Sequence, residues 1–190
     1  MDAIEAAAVL ARARQGDSEA FRAIVERHSR SAFRLAFRMT GNEQDAEDVV
    51  QEAFLRAYRQ LGRFESRAHF GTWLYRIVAN CAVDLMRSRQ ARHDMARGES
   101  LDAAGELPAG DWPGPERLAE RSEIRRRVGD ALGALSALER AAFTLRHYEG
   151  CSIAEIARML GLNTSAAKHS VFRAVRKLRL ALSPLRSQTS

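Results

Sequence analysis

The sequence predicts an all-α protein: two small helical domains joined by a flexible linker, the C-terminal one containing a helix-turn-helix. Three observations carry this expectation. Apolar residues recur at helical spacing along most of the chain, with no convincing strand. That periodicity fails from Arg92 to Pro115, where three of the four prolines and four of the twelve glycines gather. Beyond the break, Ser152 to Arg179 reads as two short helices about a tight Gly161-Leu162-Asn163 turn. The expected domains are residues 1–91 and 116–190, with the linker at 92–115.

Each element has its own signal. Asp17 caps a helix through about Met39, with Phe21, Ile24, Val25, Phe33, Ala36 and Phe37 inward, until Thr40-Gly41-Asn42 stops it. A second helix runs from about Glu43 to Leu61 on a stripe of Ala46, Val49, Val50, Ala53, Phe54 and Ala57. A third begins near Ala68 and continues through Trp73, Leu74, Ile77, Val78, Ala82 and Leu85 to about Gln90. Periodicity resumes near Glu116, and a capping box at Ser136 and Glu139 starts a helix ending near Gly150. A second capping box, Ser152 with Glu155, precedes Ile153, Ile156, Ala157 and Leu160. Gly161 supplies a left-handed C-terminal cap and Thr164 an N-cap for the last helix, which buries Ala167, Val171, Ala174, Val175 and Leu178. No internal repeat is present.

Composition bounds the possibilities. A chain of 190 residues that is 46% apolar has enough material for a core in each domain. A formal net charge of +6 favours a polyanionic partner, whether DNA, RNA or an anionic membrane. Asp2 and Glu5 stand where a signal peptide would be cationic, and no apolar run approaches the roughly 20 residues needed to span a bilayer. A cytoplasmic protein without membrane insertion is expected. Cys81 and Cys151 lack CxxC or Cys-His spacing and read as small buried or half-buried residues, so no metal, disulfide or cofactor is expected.

Charge is segregated along the chain. On the last helix Ser165, His169, Arg173 and Arg176 share the polar face, flanked by Lys168 and Phe172. From Gly161 to Arg186 there are six Lys or Arg and no acid, a surface suited to phosphates and to base edges in a major groove. An ordinary basic surface helix would share the charge alone; turn, caps and one-sided charge together favour DNA. Between Gly41 and Leu55, Glu43, Asp45, Glu47, Asp48 and Glu52 occur without Lys or Arg, so that helix would repel DNA and should face a protein. From Arg63 to Arg97 seven Arg face three acids, interleaved with Phe64, Phe70, Trp73 and Tyr75, a composition that suits unpaired bases and their phosphates. Phe70, Trp73 and Tyr75 are expected to serve the core first. Asn80, Asp84 and Arg87 align at i, i+4 and i+7, setting an amide, a carboxylate and a guanidinium along one helix face.

The segments DAEDVVQEAFLRAYRQLGRF, FGTWLYRIVANCAVDLMRSRQAR, LSALERAAFTLRHYEGCSIAEIARMLGLN and FRAVRKLR, in this order, resemble the extracytoplasmic-function sigma factors of bacterial RNA polymerase. The resemblance spans both domains and implies promoter-specific transcription initiation. It implies that Asp48, Gln51 and Glu52 dock on the clamp helices of the polymerase largest subunit. It likewise implies that Phe64, Ser66, Arg67 and His69 of the following loop, with Arg76, Asn80, Asp84 and Arg87, hold the melted minus-ten element. Ser165, Lys168, His169, Phe172, Arg173 and Arg176 match positions facing the minus-thirty-five element, and Arg176 and Lys177 are expected on phosphates. The implied partners are core RNA polymerase, promoter DNA and an anti-sigma factor clamping the two domains across the tether with its exposed Trp112. Many members carry Thr-Val-Lys-Ser-Arg where this chain has Ala166-Ala167-Lys168-His169-Ser170, which bears on promoter preference. A helix-turn-helix repressor or activator that never becomes a polymerase subunit is the alternative. A repressor would dimerise through apolar C-terminal helices, and here the reading helix lies within the last thirty residues. No catalytic residue is assigned, because the acids of Glu43 to Glu52 spread around a helix without converging.

Overall fold

The computed structural model describes residues 3–64, 70–96 and 126–186. Helix α1 spans Ala3–Arg14, α2 Ser18–Thr40 and α3 Glu43–Gln60, followed by a 3₁₀ turn, Leu61–Arg63, and by α4, Phe70–Ala96. Residues 126–133 are helical (α5), and α6 (Ala137–His147), α7 (Ile153–Leu160) and α8 (Thr164–Arg186) follow. Among the described residues there is no strand. The chain divides into two compact units, Met1–Ala82 and Val83–Ser190, the division falling within α4. Residues 97–125, with most of the expected linker and Trp112, lie outside the described residues.

In the first unit the helix ends are set by local chemistry. Asp17 accepts from the Ala20 backbone N–H at 3.0 Å and so caps α2; Arg12 Nε donates to the same carboxylate at 2.8 Å. The Ala20 N–H bond, with Arg12 beside it, holds the Asp17 carboxyl below its ordinary value. Gly41, at φ 73°, closes α2 in the left-handed region, and Asn42 caps α3 by accepting from the Asp45 N–H at 2.9 Å. Leu35, Met39, Val49, Leu74 and Val78 are fully buried, each contributing about 1.5–3 kcal/mol of transfer free energy. Helix α1 has no counterpart in the sequence expectations: its sequence, AIEAAAVLARAR, is so rich in alanine that its two faces differ little. It nevertheless packs Val9, Leu10 and Ala13 against Ala20, Ile24 and Leu61.

Three expectations for helices α2 to α4 change. Phe21, Val25 and Phe33 are only half-buried; with Val50, Phe54, Leu55 and Tyr58 they line an open groove of about 630 Å³ between α2 and α3. Asp45 is 3% exposed, so it belongs to the interior and not to the acidic surface. Helix α4 runs to Ala96, past the expected end near Gln90, so residues 92–96 continue a helix where the linker was expected to begin.

In the second unit both capping boxes form. Ser136 N–H donates to Glu139 Oε2 at 2.9 Å while Glu139 N–H donates to Ser136 Oγ at 3.3 Å, and Ser152 with Glu155 repeats the pattern at 2.8 and 3.2 Å. Gly161 adopts φ 64°, and the Leu162 N–H returns to the Ala157 carbonyl at 2.8 Å. The α8 cap is Asn163, not Thr164: Asn163 Oδ1 accepts from the Ala166 N–H at 2.7 Å. Both residue types cap helices well, and the length of the turn selected the earlier one. Leu145, Ile156, Ala141, Ala142, Ala167 and Ala174 form the centre of this unit.

Candidate polymerase and nucleic-acid interfaces

Helix α3 turns its apolar stripe to α2 and thereby presents Glu47, Asp48 and Gln51 to solvent, with Glu52 half-exposed. Glu52 Oε1 lies 2.6 Å from Arg56 Nε, an i,i+4 pair along the same helix. The carboxylates sit beside the α2–α3 groove, whose lining includes Glu47 and Gln51. Leu55 and Tyr58 remain 47% and 48% exposed at that groove, so the surface combines negative charge with apolar area. Such a face suits a basic protein surface and repels a nucleic acid.

Helix α4 buries Leu74, Val78, Ala79, Cys81 and Ala82, which leaves Arg76, Asn80, Asp84 and Arg87 in one stripe at spacings of four, four and three. Arg76, Asp84 and Arg87 are exposed and Asn80 is half-buried, its Nδ2 donating to the Arg76 carbonyl at 2.9 Å. That bond orients the amide along the helix. Phe64 is placed differently from its expected role at the DNA: it is 3% exposed, its ring 5.0 Å from Trp73 and 5.7 Å from Phe70. An aromatic cluster buries more apolar area than a lone surface ring, and the approach of α4 to the 3₁₀ turn makes that cluster available. Ser66, Arg67 and His69 lie outside the described residues.

Helix α8 displays Ser165, Lys168, His169, Phe172, Arg173 and Arg176, all exposed, while Ala167, Ser170, Ala174 and Leu178 face the core. Phe172 is 64% exposed amid cations, an aromatic left without burial. Ser170 is 3% exposed and donates its hydroxyl to the Ala166 carbonyl at 2.9 Å, so this departure from the common family pattern points inward; His169 remains outside. Lys177 is not placed as expected for a phosphate contact. Its Nζ lies 2.7 Å from Glu139 Oε2, a carboxylate whose side chain is only 5% exposed, and Arg173 Nε lies 3.4 Å from Glu139 Oε1. Burial would raise the Glu139 carboxyl, but the Lys177 ammonium, the Ser136 N–H and Arg173 hold it below its ordinary value. Glu139 was legible as a capping residue; its partners on α8, 38 residues away in the case of Lys177, were not.

Residues 24–92 match the family described as Sigma-70 region 2, and residues 125–178 match Sigma-70, region 4. The RNA polymerase sigma-H factor of Pseudomonas aeruginosa is 34% identical to this chain over 177 residues, 92% of each. The ECF RNA polymerase sigma-E factor of Haemophilus influenzae is 33% identical over 183 residues, 94% of this chain and 95% of that one. The solved structure of CnrH in complex with the cytosolic domain of CnrY is similar with a TM-score of 0.60 and 29% identity, covering 93% of this chain and 96% of that chain.

Proposed function

We infer from its faces how this chain, which belongs to the extracytoplasmic-function sigma factors of the sigma-70 family, divides its work between polymerase and promoter. As a member it is a transcription initiation factor that binds core RNA polymerase, directs it to promoters and promotes melting. The observation that carries the division of labour is the opposition of charge: an acidic, partly apolar face on α3 and a basic face on α8 within one chain. Asp48, Gln51 and Glu52 meet the polymerase, supported by their exposure beside Leu55 and Tyr58. Arg76, Asn80, Asp84 and Arg87 hold the melted minus-ten strand, with Ser66, Arg67 and His69 on the adjoining segment. Phe64, buried against Trp73 and Phe70, serves the core beside that stripe. Ser165, Lys168, His169, Phe172, Arg173 and Arg176 contact the minus-thirty-five duplex, Arg176 through its phosphates, supported by one contiguous exposed stripe.

This reading assigns residues 1–91 to docking and melting, 92–115 to the connection and 116–190 to upstream recognition. It makes the chain a non-catalytic polymerase subunit working in the cytoplasm. No helix among the described residues is long and apolar enough to cross a membrane. A protein inhibitor is part of the reading too, since occupying the α3 and α8 faces would block both tasks and a relative at 29% identity was solved with the cytosolic domain of a second protein. The repressor alternative is not favoured, because it leaves the region 2 match and the acidic face without a task. Gel filtration with core polymerase tests the reading: the chain should co-elute and support transcription from its promoter, and a free dimer that ignores polymerase would overturn it.

A further inference from the structure

Glu139 does more than cap a helix. A capping box needs only one carboxylate oxygen, and Oε2 accepts the Ser136 N–H at 2.9 Å. The same oxygen takes Lys177 Nζ at 2.7 Å, and Oε1 lies 3.4 Å from Arg173 Nε. A carboxylate with a side chain 5% exposed is thus shared between the start of α6 and two cations one turn apart on α8. Lys177 Nζ also lies 3.5 Å from the Ala134 carbonyl, which ties its ammonium to the α6 side of the contact.

We propose that Glu139 is a positioning residue of the DNA-reading surface: its carboxylate sets the place of the Arg173 guanidinium and thereby which base pair Arg173 can read. The inference rests on the α8 face reading duplex DNA. Arginine recognises guanine through paired donors in a fixed fork, and an ion contact at Nε leaves the two terminal nitrogens to make that pair. Holding a long side chain before binding reduces the freedom lost on binding, and that gain goes to the base pair whose acceptors match the held pose. Glu139 also subtracts a charge from a cationic face, so it lowers attraction to phosphates that carry no sequence information.

The test uses the full chain bound to core polymerase, presented with promoter-length duplexes randomised over the upstream element. Arg173→Ala should lose its preference at one base pair by roughly tenfold, the range of one bidentate contact. Glu139→Gln keeps a capping acceptor but removes the charge; it should lose preference at that same base pair and add nothing to Arg173→Ala. With the free chain on random duplex, Glu139→Gln should bind more tightly at low salt, with a salt slope steeper by about one. Ser136→Ala removes the serine half of the cap but keeps the charge; it should melt at a lower temperature and retain the wild-type preference. Wild-type preference in Glu139→Gln, losses that add to those of Arg173→Ala, or an equal loss of preference in Ser136→Ala would each overturn the proposal, the last even if Glu139→Gln fails to fold. A wild-type chain that enriches no upstream sequence would overturn the duplex-reading assignment itself, and this inference with it.

Discussion

The Phe64 and Trp73 rings lie 5.0 Å apart at an interplanar angle of 52°, so one aromatic contact joins the residue before segment 65–69 to the first turn of α4. Because Phe64 is buried, its truncation should act on stability. Phe64→Ala should cost about 3 kcal/mol or more in thermal or urea unfolding of the first unit. Phe64→Leu should keep most of the stability and bind a pre-melted promoter within about threefold of wild type. A stable Phe64→Leu chain with a large loss on that template would show that the ring touches the DNA.

The acidic face of α3 should fail by charge reversal. Asp48→Lys with Glu52→Lys should abolish co-elution with core polymerase while leaving helicity unchanged, since like charges at a contact cost several kcal/mol. Losing the half-exposed i,i+4 Glu52–Arg56 pair accounts for only about 0.3–0.5 kcal/mol of stability. Normal co-elution of the double variant would remove these residues from the interface.

Melting and upstream recognition should separate. Asn80→Ala should lose roughly 1–3 kcal/mol on a pre-melted promoter and little on a duplex bearing only the upstream element. Arg173→Ala should weaken duplex binding by about 1–3 kcal/mol and relax the preference there. Equal defects of the two variants on both templates would contradict the assignment.

Neighbouring cations on α8 should differ in kind. Arg176→Ala should weaken binding to all duplexes alike and flatten the salt dependence by about one unit. Lys177→Ala should instead destabilise the second unit by about 1–2 kcal/mol, less than a fully buried pair because nearly half of Lys177 is in water. The paired measurements are a salt titration of DNA binding and a thermal melt.

Acid should loosen the second unit through Glu139. Its folded carboxyl sits below the ordinary value of 4.5, so the unfolded chain takes up the proton first as pH falls. The stabilisation is fully present above about pH 4.5 and is lost as pH drops through the lower folded value. Glu139→Gln should flatten this part of the stability curve. An unchanged acid limb in that variant would assign the loss to other carboxylates.

What the sequence determined by itself was whatever acts over three or four residues. Asp17, the Ser136–Glu139 and Ser152–Glu155 boxes and the Gly161 turn were legible because a cap and its target N–H are near neighbours. The exposed stripe on α8 was legible because helical spacing alone separates Ser165, His169, Arg173 and Arg176 from Ala167, Ala174 and Leu178. Only the tertiary structure decided between residues of like chemistry. Phe64 met Trp73 in the core, while Phe172, also aromatic, stayed outside, 64% exposed among the described residues. Asp45 went inside while Asp48, three residues on, stayed at the surface. Lys177 and Arg176 are adjacent cations, yet α6 brings a buried carboxylate to Lys177. Such choices depend on which helix arrives from far along the chain, and packing energy, not local propensity, settles that arrival.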